Sequence, residues 1–561
     1  MKNILETCQP RQSILQGTFN PEVFTASLGP VIQHYKGNSS TIDSIYTDAN
    51  AFFAEATYPT HGLVQTVNNV FRRIAGDASV PTIQRLETAF GGGKTHTLIA
   101  CVHIAYKGKE IAESTKGIID SAYLPDKGTV TVIGIAGDEI PVNKIKGDML
   151  MPYTLWGEIA YQIGGKELYN QVKADAESFA APGKPFLDTV LKGKKVLIML
   201  DELAQYAARL DVAVTNGALQ LAAFLMSLIE YAKATTGISI VVTLASSSDA
   251  FSKQTDTLTR LLNEVGNGDM TKDDAVAAAE SASKSIISVI RRSETTVTPV
   301  DANEISAVLA KRLFDAIDPA AAHETAEEYA AMYAKNSSSF PEEATNIDYR
   351  QKMNAMYPFH PTFINFLNNK LSQAENFQGT RGVLRTLALT VRSIWNKRIN
   401  IGMIHVSDVD MTNPQIVDEI LGRTASADLR TVLTADIGSV ESYGLQSGLS
   451  NAQRADKKNP HPDGIAMYEK TWRTVFLNSL VGRRRAKRPT YSAFLKKMLY
   501  SRLPLPCSRP LRSRRRWMKS LRVLFIFATK MVNILLILTR RSTLCLHRSA
   551  AQSTSERSGR N

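Results

Sequence analysis

Apolar and polar positions alternate with three different rhythms along this chain. Over the first eighty residues the rhythm is mainly helical, interrupted by a polar turn at Gly37-Asn38-Ser39-Ser40. His61 to Ala75 places Leu63, Val67, Val70, Phe71 and Ile74 on one face, the spacing of an amphipathic helix. From Pro81 the period shortens. Thr82 to Glu87, Thr129 to Ala136, Val196 to Leu200, Ile238 to Ala245 and Thr295 to Thr298 read as strands. Helical stretches at Thr95 to Tyr106, Tyr153 to Ile163 and Ala218 to Ala234 lie between them. Strands separated by crossover helices predict an α/β fold with a parallel sheet flanked by helices. After Pro299 the helical period returns. Asn303 to Ile317 carries Ile305, Val308, Leu309, Leu313 and Phe314 on one stripe, and His360 to Leu371, Gly382 to Asn396 and Ile465 to Val481 follow. The run Lys457-Lys458-Asn459-Pro460-His461-Pro462 reads as a loop, and there is no internal repeat.

Composition sharpens this picture at one place. The 561 residues, with 44% apolar and 21% charged, are those of an ordinary globular chain of several domains. The net charge of +13 invites a nucleic-acid reading, but it is unevenly spread. Residues 483–561 hold 21 Lys plus Arg and one acid, Glu556, whereas residues 1–482 hold 45 bases and 52 acids. The body is therefore mildly acidic. For the tail two readings compete. Its clusters Arg483 to Arg488 and Arg512 to Arg516 could form a basic arm for nucleic acid or a membrane surface. Alternatively it is an out-of-frame, disordered segment beginning near Gly482, which the abrupt change of composition favours. Leu521 to Thr539 approaches spanning length, but Lys530 at its centre argues against a membrane helix. No membrane partner is expected. Cys8, Cys101, Cys507 and Cys545 show no metal-ligand spacing, and so few cysteines point to a reducing cytoplasm. Met1 to Phe19 contains no apolar core of signal-peptide length.

The chemistry is concentrated in two motifs. Thr88-Ala89-Phe90-Gly91-Gly92-Gly93-Lys94-Thr95 follows a strand and opens a helix, the context of a phosphate-binding loop. Gly91, Gly92 and Gly93 allow backbone N–H groups to turn onto phosphates at the positive end of the following helix. Lys94 would reach the β and γ phosphates of ATP, and the Thr95 hydroxyl would ligate Mg²⁺. Thr88 stands where such loops usually carry their first glycine. The second motif, Lys195 to Glu202, is a continuous apolar run ending in two acids, as in a strand buried on both faces. Asp201 would hold the Mg²⁺ and Glu202 would polarise the attacking water. A strand ending in a solvated acidic turn is the plainer alternative for this motif alone.

Weaker candidates surround these. Thr243 or Ser246, where the fourth strand ends, could place a polar group near the γ-phosphate. Arg291 and Arg292 precede the fifth strand and could stabilise transition-state charge in a neighbouring subunit. Arg381 and Arg385 open a later helix and could touch phosphate from above. For each of these an ordinary packing or solvated role is equally open. His96 and His103 read as packing or surface residues, and no metal is assigned to them.

Taken together, these motifs resemble the AAA+ superfamily of P-loop ATPases. The runs Leu86 to Leu98, Leu200 to Tyr206 and Gly379 to Ala388 resemble one family more closely, the prokaryotic ATPases of domain-of-unknown-function family 499. The resemblance covers Phe52 to Gly482. It implies ATP on Gly91, Gly92, Gly93, Lys94 and Thr95, and hydrolysis through Asp201 and Glu202. It also implies a trans-acting finger at Arg291 or Arg292, and a lid sensor at Arg381. On this reading residues 1–80 form an N-terminal helical region, 81–300 the ATPase core, 301–425 a helical lid, and 426–482 the start of a further domain. Family context implies a homo-oligomer acting beside DNA methyltransferases in anti-phage defence, with DNA or a DNA-modifying protein as partner. A nucleotide-dependent scaffold with little turnover, nucleic-acid binding through the basic tail and a small-molecule kinase are the alternatives.

Overall fold

The structure is a computed structural model that describes residues 2–480 apart from 21–26, 39–41, 89–92, 138, 141, 143–153, 246–258, 260–261, 264–270, 291–293, 302, 370, 372–378, 424–428, 439–447 and 463. Seven strands occur among the described residues: β1 Cys8–Pro10, β2 Ile83–Thr88, β3 Thr131–Ala136, β4 Val196–Asp201, β5 Ile238–Ala245, β6 Glu294–Val297 and β7 Phe314–Ile317. Five of them form one sheet in the order β3-β4-β5-β2-β6. Every neighbouring pair in it is parallel.

The side-chain parity of these strands builds the layers. Val196, Ile198 and Leu200 of β4 join a core made with helices Leu155–Gln171, Lys184–Leu191, Leu203–Ala213, Gly217–Ala234 and Lys272–Ile290. Leu197 and Met199 point the other way, into a core made with helices Leu28–Tyr35, His61–Ala75 and Lys94–Lys107. All six residues of β4 are buried, which explains why the strand reads as an unbroken apolar run.

The helix after β2 therefore lies on one face of the sheet, while the helices after β3, β4 and β5 lie on the other. Right-handed crossovers require this, because the chain runs from β2 to the far edge and then works back. The carboxyl end of β2 is thus a topological switch point, the place where ligands bind in open α/β sheets. The helix that starts at Leu155 leaves helical geometry at Gly164 and Gly165, matching the expected end at Ile163, and a second helical segment continues to Gln171.

Residues after 301 build a separate, mainly helical core around Phe363, Leu384, Leu387, Val391, Met403 and Val417. Leu433, Ile437, Trp472 and Phe476, in the stretch expected to begin a further domain, pack in this core. Helix Ile305–Leu313 stops short of Ile317 because Phe314 turns extended to enter β7. β7 pairs antiparallel with β1. The first residues of the chain consequently belong with the second core: Ile4 and Ile14 pack in it, and the Ile4 N–H donates to the Ile401 carbonyl. Among the described residues no helix is long and apolar enough to cross a membrane.

His103, beside the core shared with helix Lys94–Lys107, and His405, in the second domain, are both fully buried. His103 accepts or donates through Nδ1 to Tyr35 Oη at 2.7 Å, and His405 Nε2 meets Tyr329 Oη at 3.0 Å. Burial pushes each down to about 3. In the unfolded chain both titrate near 6.5, so below that pH the unfolded state binds more protons and stability falls as pH falls. The loss is up to about 1.4 kcal/mol per pH unit for each histidine. Urea midpoints are expected to decline from pH 7 to pH 5, with a shallower decline in His103→Gln. Ile4→Ala is expected to cost about 2–5 kcal/mol in the same assay, against about 0.5 kcal/mol or less for the exposed Gln9→Ala.

Candidate functional site

At the switch point the ladder sets a row of polar residues. Leu200 of β4 lies beside Val242 of β5, so Asp201 comes next to Thr243, which in turn pairs with Leu86 of β2. The parity that sends Leu197 and Met199 towards helix Lys94–Lys107 also sends Asp201 there. Asp201 is buried, and its Oδ2 accepts a hydrogen bond from Thr95 Oγ1 at 3.0 Å. Its Oδ1 accepts from Thr243 Oγ1. The two sequence motifs, over a hundred residues apart, thus meet in space at Thr95 and Asp201.

Gly93 starts the helix in the left-handed region, with φ 84°, and no side chain caps the helix there. A Cβ at Gly93 would sit 3.0 Å from Val300 Cγ2, a tight contact, and the positive φ itself favours glycine. The segment Thr298 to Val300, which leads from β6 towards the second core, passes over this glycine. It is tied down by Thr60 Oγ1, which donates to the Pro299 carbonyl at 2.5 Å. Lys94 is the first residue of the helix and is half-buried. Among the described residues none forms an ion pair with Lys94.

Glu202 turns the chain from β4 into helix Leu203–Ala213 and does so with φ 49°, an uncommon conformation for a non-glycine residue. Its N–H donates to Thr243 Oγ1 at 2.9 Å and to Asp201 Oδ1 at 3.1 Å. Its carboxylate accepts from Gln205 Nε2. The glycine at 137 leaves room for the Glu202 carbonyl, which a side chain there would strike. Arg209, on the same helix, donates to the carbonyls of Gly137 and Ile140 and locks the helix to the loop after β3.

The remaining sequence candidates separate into three groups. Thr243 lies in the cluster, but its hydroxyl is buried between Asp201 and the Glu202 backbone rather than turned outward. Arg385 pairs with Glu419 at 3.3 Å, in the second core's helices. Arg381 lies in the first turn of helix Gly379–Asn396, and its side chain falls outside the described residues. Gly91, Gly92, Ser246, Arg291 and Arg292 also lie outside the described residues. His96 stacks on Phe52 at 4.4 Å and bonds Thr57 at 3.0 Å. Burial, followed by the charge of Arg312, holds it well below the usual imidazole range. It is a packing residue. Gln205, Arg209 and Gly137 were not read from the sequence. Gln205 stands three residues after Glu202, a spacing that shares a helix face and could have singled it out.

Among the described residues no cluster of three or more His, Cys, Asp or Glu could hold a metal ion. The pair Thr95 and Asp201 instead offers two hard oxygen donors at a sheet edge, the kind of partial ligand set Mg²⁺ completes with substrate phosphates and water.

The fold is that of a parallel α/β domain joined to a helical second domain, with its polar cluster at the sheet's carboxyl edge. Residues 10–263 match the DUF499 N-terminal domain and residues 301–501 match the DUF499 second domain, so the chain belongs to the DUF499 family. The first match begins well before Phe52, and the second continues past Gly482. No curated protein and no solved structure matches the chain.

Removing the Thr243 hydroxyl isolates its contribution. Thr243→Val keeps the shape but withdraws the donor to Asp201 and the acceptor for the Glu202 N–H. A loss of about 1–3 kcal/mol is expected in urea unfolding.

Proposed function

We propose that this chain is a P-loop ATPase of AAA+ type that hydrolyses ATP as its magnesium complex. The observation that carries the reading is the 3.0 Å contact between the Thr95 hydroxyl and the Asp201 carboxylate. It supports a single site shared by the two motifs, since a magnesium triphosphate needs both groups at one point.

In this reading the uncapped helix start at Gly93 supplies backbone N–H groups for phosphate oxygens, together with Gly91 and Gly92. Lys94 places its ammonium against the β and γ phosphates, which offsets their repulsion and the charge that develops on bond cleavage. Thr95 and Asp201 would hold Mg²⁺, which supplies further charge neutralisation at the phosphates. Glu202 accepts the proton of the attacking water. Its acid side chain is set off from Asp201 by the left-handed turn, so two neighbouring acids take different tasks. Thr243 fixes Asp201 and the Glu202 backbone relative to each other. Arg291 or Arg292 acting from a neighbouring copy, Arg381 as a sensor in a helical lid, a cytoplasmic homo-oligomer, and DNA or a DNA-modifying protein as the object of the work in anti-phage defence all rest on the family resemblance.

Phosphate release from ATP by the full-length protein tests the reading, measured beside equilibrium ATP binding. Lys94→Ala is expected to weaken ATP binding about tenfold or more, through loss of the charge facing the phosphates. Glu202→Gln is expected to retain binding while losing about 10²–10⁴-fold in turnover. Turnover unchanged in both variants would contradict the proposal. Tight binding without phosphate release would leave a nucleotide-dependent scaffold, and transfer to a metabolite rather than water would indicate a kinase.

A further inference from the structure

We propose that Gln205 is a positioning residue that aims the Glu202 carboxylate; this rests on the hydrolytic reading above. Gln205 is buried, 7% exposed, in the first turn of helix Leu203–Ala213. Its Nε2 donates to Glu202 Oε2, and its backbone N–H donates to the Glu202 carbonyl at 3.0 Å. The Glu202 backbone is held independently by Thr243 and by the left-handed turn. The side chain adds three torsions beyond the backbone, and Gln205 Nε2 holds one of its carboxylate oxygens. A base has to be held within a narrow range of positions relative to the water it activates. One oxygen held by a neutral amide restricts the orientation of the carboxylate. The arrangement has the logic of a base oriented by a third group.

The choice of residue type also follows. A lysine or arginine at 205 would orient the carboxylate as well, but an ion pair lowers carboxylate basicity more than an amide N–H does. Glutamine orients through a neutral donor and adds no charge beside Glu202. The helix carrying Gln205 is itself fixed, because Arg209 farther along donates to the Ile140 carbonyl at 2.8 Å. Gln205 therefore transmits a rigid frame to the one side chain that must be aimed.

The test uses the full-length protein and compares ATP turnover, KM and melting midpoint for wild type, Gln205→Leu, Gln205→Ala and Gln205→Glu. Gln205→Leu keeps the volume and removes the donor. It is expected to lower kcat about ten- to a hundredfold with KM and melting midpoint unchanged. Gln205→Glu, which sets a like charge against Glu202, is expected to lose more. Wild-type turnover in both Gln205→Leu and Gln205→Ala would overturn the proposal. So would a loss of kcat that tracks a lower melting midpoint or a raised KM, since that marks a packing role. A wild-type protein without turnover would instead remove the hydrolytic reading itself, and this inference with it.

Discussion

The hydrogen bond between Thr95 and Asp201 is the point through which the rest of the arrangement is organised. It joins the first turn of a helix on one face of the sheet to the last residue of a strand buried on both faces. Each end is fixed by a different constraint. Helix Lys94–Lys107 is buried along most of its length, from Thr97 to Ala105, and cannot rotate without disturbing the core it shares with β4. Asp201 is fixed by the ladder and by Thr243. Two rigid elements therefore deliver two oxygen-bearing side chains to one spot, with Lys94 and Glu202 as their immediate chain neighbours.

Burial on both faces explains how much of the sheet was legible in the sequence. The strands from Thr82 to Thr298 were read within a residue or two; β3, β4 and β5 carry the near-continuous apolar run of strands buried on both faces, whereas β2 and β6 hold polar residues such as Gln84, Arg85, Thr295 and Thr296. The motif residues were legible for the same reason, since Lys94 opens a helix after a strand and Asp201 ends one. The sequence could not reveal what the hydroxyl of Thr243 does. Its type suits either an outward polar group or an inward bridge, and only the register of β4 against β5 decides between them. Gln205 was missed because its only signal is the three-residue spacing from Glu202, and glutamine is not a residue type that marks chemistry.

The second domain was less legible. β1 and β7 are three and four residues long and lie some three hundred residues apart, too short and too distant for any local pattern. Phe314 fits a helical stripe as well as it fits a strand, and only the presence of Cys8 to Pro10 beside it selects the extended form. The domain's inner polar contacts were also unforeseeable. His360 and His405 stack at 4.2 Å, each bonded to a tyrosine, and Asp408 pairs with Lys470 at 2.5 Å. These contacts reward polar residues that a purely apolar reading would have placed outside. The same second core takes in the first residues of the chain, so the two domains are linked both by the segment over Gly93 and by the N-terminal stretch.

The central claim is that one magnesium triphosphate is held where the two motifs meet. An experimental structure of the full-length Glu202→Gln protein with ATP and magnesium tests it most directly. The account predicts a metal ion bounded by the Thr95 hydroxyl and the Asp201 carboxylate, with the γ-phosphate against Lys94. A nucleotide bound elsewhere, or a metal that touches neither Thr95 nor Asp201, would contradict it.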